Sequence, residues 1–411
     1  MHFMSSGIAA VEPPTANASA ARPLRILQVI SSVAALDGGS STAMWSILEA
    51  LKRRGVDTDL VTTNEDGSYR VAADVPLGGF IQQPGYRIQY FPSAGNRYAT
   101  SWPLAQWLLT HVRDYDVVHI HGIFRFTPVA AAYAALLRGV PYVLTLHNAL
   151  GSWGLLNRRP LLKKLSISVI EGRMIRGARR VHLCSANELA QVSRIIEIGN
   201  RAAVFPLGLE LNGSDDSQTV AMDRVASKTR TILFMSRIHE IKGLDTLIRA
   251  FAAIHRRYPD TELAVAGTGD GCLTESLQAL AVRLQVDGRI RWVGFVRGAA
   301  KQALLHSASV FVLPSQSENF GYAVVEALSA GLPVITTVHV PTGEFVKLAN
   351  AGVVYDGSSA GLEQSLMRML DLPDRQLREM GRSGAHAVRN RLSLDAFGES
   401  LESCYRESFS A

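Results

Sequence analysis

The chain has 411 residues, 47% apolar and 19% charged, a balance that excludes a disordered polymer and suits two domains of ordinary size. Its three cysteines, Cys184, Cys272 and Cys404, lie far apart, without disulfide or metal-ligand spacing, as a reducing compartment would favour. The net charge of +6 is uneven: residues 1–205 hold 21 Lys/Arg against 13 Asp/Glu, residues 206–411 hold 21 against 23, so the halves should meet different partners.

Residues 1–22, rich in Ala, Ser and Pro, read as a disordered tail, and Glu12-Pro13-Pro14 interrupts any signal-peptide core. No apolar run approaches the roughly 20 residues that a membrane span needs. Leu24–Ile30 reads as a first strand, followed by the glycine turn Asp37-Gly38-Gly39-Ser40-Ser41 and a helix from about Thr42 to Arg53. The turn lacks a complete G-x-G-x-x-G pattern. Val56–Thr62 is a second strand, and a loop-rich stretch to Asn96 should hold another near Arg87–Phe91. Asp116–Gly122 and Val140–Asn148 are apolar strands, each ending in histidine, with an Ala-rich helix, Pro128–Arg138, between them. Such alternation predicts a parallel sheet wound on both faces, with His121 and His147 delivered to one carboxyl edge.

Arg158–Arg180 is the most charged segment, with eight basic residues against Glu171 alone, and apolar Leu161, Leu162, Leu165, Val169 and Met174 fall at mixed three- and four-residue steps. Two readings fit it: a basic amphipathic helix that meets an anionic membrane, or a helix packed on the sheet with solvated arginines. No basic patch is interleaved with exposed aromatics, so nucleic acid is not an expected partner. Val181–Ser185 is the next strand, with Ser185 capping a helix. Residues 209–228 are polar and turn-rich, a linker between a first domain, 23–208, and a second, 229–392.

The second domain opens with the strand Thr231–Met235, then Arg237 and Lys242, then Gly243 and a helix. Leu263–Gly271 reads as a strand and tight turn, and Arg291–Val296 as another strand and loop. Ala308–Leu313 reads as a buried strand, with a loop carrying Glu318, Asn319, Phe320 and Gly321 and a helix from about Tyr322 to Ala330 carrying Glu326. In such units ligands bind beyond the carboxyl ends of strands. The helix start favours an anion, Gly321 lets backbone approach it, and the carboxylates can accept hydrogen bonds from sugar and ribose hydroxyls.

Glu318 and Glu326, seven residues between them and Phe320-Gly321 inside, resemble the E-x7-E signature of retaining, nucleotide-sugar-dependent glycosyltransferases of family 4. The similarity runs from about Arg25 to Arg391. It implies the α/β GT-B fold: two Rossmann-like domains facing each other across a deep cleft, with a C-terminal helix, about 393–411, crossing back to the first. It implies catalytic roles for Glu318, His147, Arg237 and Lys242, the last two as the phosphate-binding pair. Donor contacts fall to Gly38, Gly39, Arg237, Lys242, Val296, Asn319, Phe320, Gly321 and Glu326, and His121 lines the acceptor pocket.

The function implied is transfer of a hexose from a GDP- or UDP-linked sugar, GDP-mannose preferred, to a glycan or lipid-linked acceptor in bacterial capsule, polysaccharide or lipopolysaccharide assembly. The donor is a substrate, no separate cofactor is expected, and the absence of an Asp-x-Asp clamp at a strand end points to metal independence. The place implied is cytoplasmic, peripheral on the inner face of the plasma membrane. A nucleotide-sugar epimerase of the same architecture and a non-catalytic sugar-nucleotide-binding protein stay open as alternatives.

Overall fold

The computed structural model describes residues 23–34, 39–67, 70–72, 74–151, 160–210 and 229–410. The expected tail, Gly38, Arg158 and Arg159, and linker residues 211–228 lie outside the described residues.

Two sheets form the frame. The first holds β1 (Arg25–Val29), β2 (Asp57–Thr63), β3 (Phe80–Gln83), β4 (Tyr86–Phe91), β5 (Val117–His121), β6 (Tyr142–Thr145), β7 (Arg180–Leu183) and β8 (Ala202–Val204), in the order β3-β4-β2-β1-β5-β6-β7-β8. All pairs are parallel except β3 with β4, a hairpin turned at Gly85, whose φ is +91°. β3 has no apolar run to announce it. The central strands are buried on both faces, as helix-covered parallel sheets require.

The second sheet holds β9 (Arg230–Met235), β10 (Thr261–Ala266), β11 (Ile290–Gly294), β12 (Val310–Leu313), β13 (Val334–Thr337) and β14 (Gly352–Tyr355), in the order β11-β10-β9-β12-β13-β14, all parallel. Strand order reverses between β1 and β5 in one sheet and between β9 and β12 in the other. These switch points are where a crevice opens in doubly wound sheets.

Several boundaries differ from the sequence reading. β6 ends at Thr145, so His147 lies beyond the strand, and it and Asn148 have φ of 51° and 55°, the left-handed region. The basic segment is helical over Pro160–Ser166 and Gly172–Gly177 with a π-helical stretch, Ile167–Glu171, between them. Glycine permits that winding, because a Cβ on Gly172 would lie 2.3 Å from the Ile167 carbonyl oxygen. The region after β14 forms two helices, Ser359–Leu370 and Asp374–Arg391, the second entered through Pro373.

The last helix, Leu394–Ser410, crosses back onto the first domain. Glu402 pairs with Arg54 at 2.5 Å and Glu407 with Arg180 at 3.0 Å. Leu394, Phe397, Leu401 and the fully buried Tyr405 join one apolar cluster that runs from Ile26 and Ile47 into the second domain.

One contact here should be brittle. A Cβ on Gly381, in the helix Asp374–Arg391, would lie 1.8 Å from the carbonyl oxygen of Gly331, the turn that closes the helix Tyr322–Ser329. Gly381→Ala must separate the two backbones and should cost about 1–3 kcal/mol. Urea unfolding measures it, and a loss under about 0.5 kcal/mol would place Gly381 with inert surface positions instead.

Candidate active site

The loops after β9 and β12 form one wall of the crevice. His239 accepts a hydrogen bond from the amide of Ile241 and starts a short turn, Glu240–Lys242, that ends at Gly243 with φ of 68°. A Cβ on Gly243 would lie 2.4 Å from the Pro314 carbonyl oxygen, so glycine lets the two loops meet backbone to backbone. That approach sets Lys242 Nζ 2.5 Å from Glu318 Oε1, with both side chains largely buried. Ser315 Oγ donates to the same Glu318 oxygen at 2.9 Å.

Glu326, a turn into the helix Tyr322–Ser329, receives Lys301 Nζ at 2.9 Å from the helix Gly298–Ser307. Gly321 precedes the first helical residue with φ of +95°, and a Cβ there would sit 2.7 Å from Thr342 Oγ1. Arg237, Lys242, Val296, Asn319, Phe320 and Glu326 line a cleft of about 1310 Å³, and Gly39 and Thr42 wall it from the first domain. Two anchored cations and a helix start therefore face one cavity, the electrostatic setting for a phosphorylated ligand.

The first domain contributes the turn after β6. His147 Nδ1 lies 2.9 Å from Asn319 Nδ2, and Asn148 Nδ2 donates to the Glu318 carbonyl at 2.7 Å and to Ser317 Oγ at 3.2 Å. These hydrogen bonds cross between the domains. Glu188 holds the turn from behind: its carboxylate accepts from the Asn148 amide at 2.8 Å and the Cys184 amide at 2.7 Å. Burial pushes the Glu188 carboxyl up to about 7 against those two donors. Ser185 caps this helix as expected, accepting from the Glu188 amide.

Behind His147 the polar groups continue into the sheet. His147 Nε2 is 3.2 Å from His121 Nδ1, and His121 Nε2 is 2.9 Å from Gln28 Oε1. Gln28 Nε2 donates to the Tyr405 hydroxyl, which lies 2.7 Å from His119 Nδ1. His119 Nε2 reaches Thr145 Oγ1 at 2.7 Å, Thr145 reaches His182 Nδ1 at 3.0 Å, and His182 Nε2 meets the Phe205 carbonyl at 3.0 Å. Burial is the main cause that lowers all four imidazoles: His147 to about 3, His182 to about 4, His119 and His121 well below the ordinary value.

The structure thus gathers Glu318, Asn319, Phe320, Gly321, Glu326, Arg237, Lys242, Val296 and Gly39 at one cleft, with His147 touching it through Asn319. His121 is buried, with both ring nitrogens occupied. Sequence reading missed Lys301, Asn148, Glu188, Gln28, His119 and Tyr405. The His119-Ile120-His121 alternation is the one visible signal, because strand period places both imidazoles on one face. Among the described residues no three His, Cys, Asp or Glu side chains are grouped to hold a metal ion.

Residues 38–208 match the family described as glycosyl transferase 4-like domain, and residues 220–386 match glycosyl transferases group 1. The chain is 27% identical over 365 residues to a phosphatidyl-myo-inositol mannosyltransferase of Mycobacterium leprae (strain TN), covering 86% of this chain and 88% of that protein. Sucrose-phosphate synthase (tll1590) from Thermosynechococcus elongatus has the same architecture, with a TM-score of 0.74 at 19% identity over 94% of this chain and 99% of that one. Anabaena Alr3699/HepE, solved in complex with UDP and glucose, gives 0.70 at 17% identity over 92% and 98%.

Four buried neutral imidazoles make the first domain acid-sensitive. Unfolded, they take up protons near pH 6.5, whereas in the fold they resist protonation down to about 4 for His182 and about 3 for His147. The unfolded state therefore binds more protons below that pH. Their contribution is whole above about pH 6.5 and is lost as pH falls toward the folded values, by up to about 1.4 kcal/mol per group and pH unit. Glu188, raised to about 7, works the other way, one group against four. Urea midpoints should drop steeply from pH 6.5 to 4, and a flat profile would mean that these rings are protonated in the fold.

Proposed function

We propose, for a chain whose two halves match glycosyltransferase domains on the GT-B fold, that it is a retaining family 4 hexosyltransferase using a GDP- or UDP-linked sugar, GDP-mannose preferred. The observation that carries this reading is the cleft walled by both domains, with Arg237, Lys242 and the start of the helix Tyr322–Ser329 on one side. The donor diphosphate sits against those groups. Glu318 accepts hydrogen bonds from the sugar, and Glu326 from the ribose. The bond from the anomeric carbon to phosphate oxygen breaks while an acceptor hydroxyl bonds that carbon on the same face, and the leaving diphosphate takes the hydroxyl proton. His147 stands beside the reacting centre, and His121 supports it on the acceptor side.

Charge at the leaving group is met by side chains in this reading, which makes it metal-independent. In the free site Lys242 neutralises Glu318, and the arriving phosphate gains a share of that ammonium while Ser315 keeps Glu318 in place. The preferred acceptor is a lipid-linked glycan. The mannosyltransferase relative acts, by its name, on a phosphatidyl-inositol. The segment 160–177 also leaves Leu161, Leu162, Leu165 and Val169 exposed between 55% and 79%, beside Lys163, Lys164, Arg173 and Arg176. Its lone acid, Glu171, is turned inward onto Ser166 Oγ. No helix among the described residues is long and apolar enough to cross a membrane, so the contact proposed is peripheral, on the cytoplasmic face.

A radiolabelled nucleotide-sugar panel with membrane lipid extract tests the function: lipid-linked product supports it, isomerised sugar means an epimerase, and binding without turnover means a sugar-nucleotide-binding protein. Lys242→Ala should cut kcat by about 10²–10³ with a smaller rise in donor KM, since the charge it meets grows as the bond breaks. Excess chelator should leave the rate nearly unchanged, and loss restored by magnesium would overturn the cation assignment.

The membrane contact has its own test. Changing Leu161, Lys163, Lys164 and Leu165 together to Ser should release the protein from anionic vesicles, at about 1 kcal/mol for each basic residue that reached the surface. Co-sedimentation unchanged by that substitution, or insensitive to salt, would leave the segment as a solvated helix face.

A further inference from the structure

The relay behind His147 has a direction, and the direction is fixed at its far end. The Phe205 carbonyl can only accept, so the hydrogen between it and His182 belongs to His182 Nε2. A neutral His182 then offers a bare Nδ1, to which the Thr145 hydroxyl donates. Thr145 oxygen in turn accepts from His119 Nε2, leaving His119 Nδ1 to accept from the Tyr405 hydroxyl. Tyr405 has then spent its only proton and must accept from Gln28 Nε2, which turns Gln28 Oε1 toward His121 Nε2. His121 Nδ1 is left to accept from His147 Nε2, and His147 Nδ1 to accept from Asn319 Nδ2. Every link is donor to acceptor, and no imidazole needs a second proton.

The consequence appears at the cleft. With its amide nitrogen committed to His147, Asn319 must aim Oδ1 away from it, and that oxygen is buried without a hydrogen-bond partner among the described residues. Asn319 lines the cleft beside Glu318. A buried acceptor left unpaired costs stability, so the site gains from a ligand that donates to it.

We infer that Gln28, His119 and Tyr405 are positioning residues, whose one-way relay locks the His147 tautomer and so leaves Asn319 Oδ1, covered in the free protein, as the acceptor that a hydroxyl of the transferred sugar meets when the donor enters beside Glu318. The hydroxyl's part rests on the transferase reading above. The relay does not. It ties the last helix of the chain to the sugar subsite through side chains that touch no substrate. Such a site rejects a sugar lacking the hydroxyl, because Asn319 Oδ1 then stays unpaired.

Two measurements test this. In protein labelled with ring-15N histidine, long-range 1H–15N spectra, assigned by single His→Gln variants, should show His147 with a proton on Nε2 and a bare Nδ1. A proton on Nδ1 in the unsubstituted protein overturns the inference, whether or not Tyr405→Phe folds. Tyr405→Phe removes the hydroxyl that sets Gln28 and should turn His147 into a mixture of tautomers, with kcat/KM lowered about tenfold. An unchanged His147 signal in Tyr405→Phe overturns the role of Tyr405. The second measurement compares deoxy-sugar donors on the unsubstituted protein and on Asn319→Ala. One deletion should cost about tenfold or more in the former and clearly less in the latter. Normal transfer with no hydroxyl coupled to Asn319 overturns the subsite and leaves the transferase reading standing. A panel with no transfer at all overturns that reading and the hydroxyl's role with it, while the spectra still decide the relay.

Discussion

A helix-covered parallel sheet offers no water to groups at its centre, and this one places Gln28, His119, His121, Thr145 and His182 there, each at most 3% exposed. Such groups are tolerated only when each finds a partner, and the imidazoles among them, as ions, would cost several kcal/mol apiece. Register supplies part of the answer. Gln28 faces His119 on the neighbouring strand, His121 faces Thr145, and Thr145 faces His182, so the polar groups form one stripe across four strands. The stripe does not close within the sheet. It needs Tyr405, which lies 286 residues further along the chain than His119 on the last helix, and the return of that helix is what allows a polar centre to exist in the first domain.

The opposite wall of the cleft solves a different problem. Two glutamates beside a phosphate site would repel the ligand if left alone. Lys242 and Lys301 each bind one of them, so the wall presents carboxylate oxygens to hydroxyls without a net negative field toward phosphate. Partly buried ion pairs of this kind add little to stability, because desolvation offsets most of the attraction. Their placement at the cleft rather than in the core fits a use in binding. Gly243 and Gly321 serve the same end, since a Cβ would block the Pro314 backbone at the first and crowd the Thr342 and Val340 side chains at the second.

Much of this was legible in the sequence, and the division is physical. Alternating apolar runs and helical periods gave the two sheets because burial on both faces leaves no other pattern for parallel strands. The loop from Glu318 to Glu326 was legible because spacing along one short segment survives folding unchanged. Lys301 and Asn148 were not, since each acts on a partner at least 25 residues away in the chain, and a lysine or asparagine in isolation resembles any surface residue. The apolar run leading into His147 predicts a strand end there, but β6 stops at Thr145 and the chain turns left-handed to meet Asn319. β3 was missed because Phe80-Ile81-Gln82-Gln83 is too short and too polar to show a period. Tyr405 illustrates the general limit: in sequence it is one aromatic on an amphipathic helix, and only the crossing of that helix gives its hydroxyl a purpose.

The same turn that links the domains is also where backbone energy is stored. His147 and Asn148 both adopt left-handed φ, a region where asparagine and histidine are enriched among non-glycine residues but which still costs about 1–2 kcal/mol per residue. Against that stand the side-chain bonds across the cleft, Asn319 to His147 and Asn148 to Glu318 and Ser317, each worth about 1 kcal/mol net. Glu188 holds the Asn148 amide from the first-domain side, an anchor for the turn that does not depend on the second domain. Side-chain hydrogen bonds therefore join the domains at this point, while the apolar packing of Leu394, Phe397 and Leu401 joins them at the other end. A ligand that bonds both walls adds its contacts to a turn the first domain already holds, so little of its binding energy goes into ordering that turn.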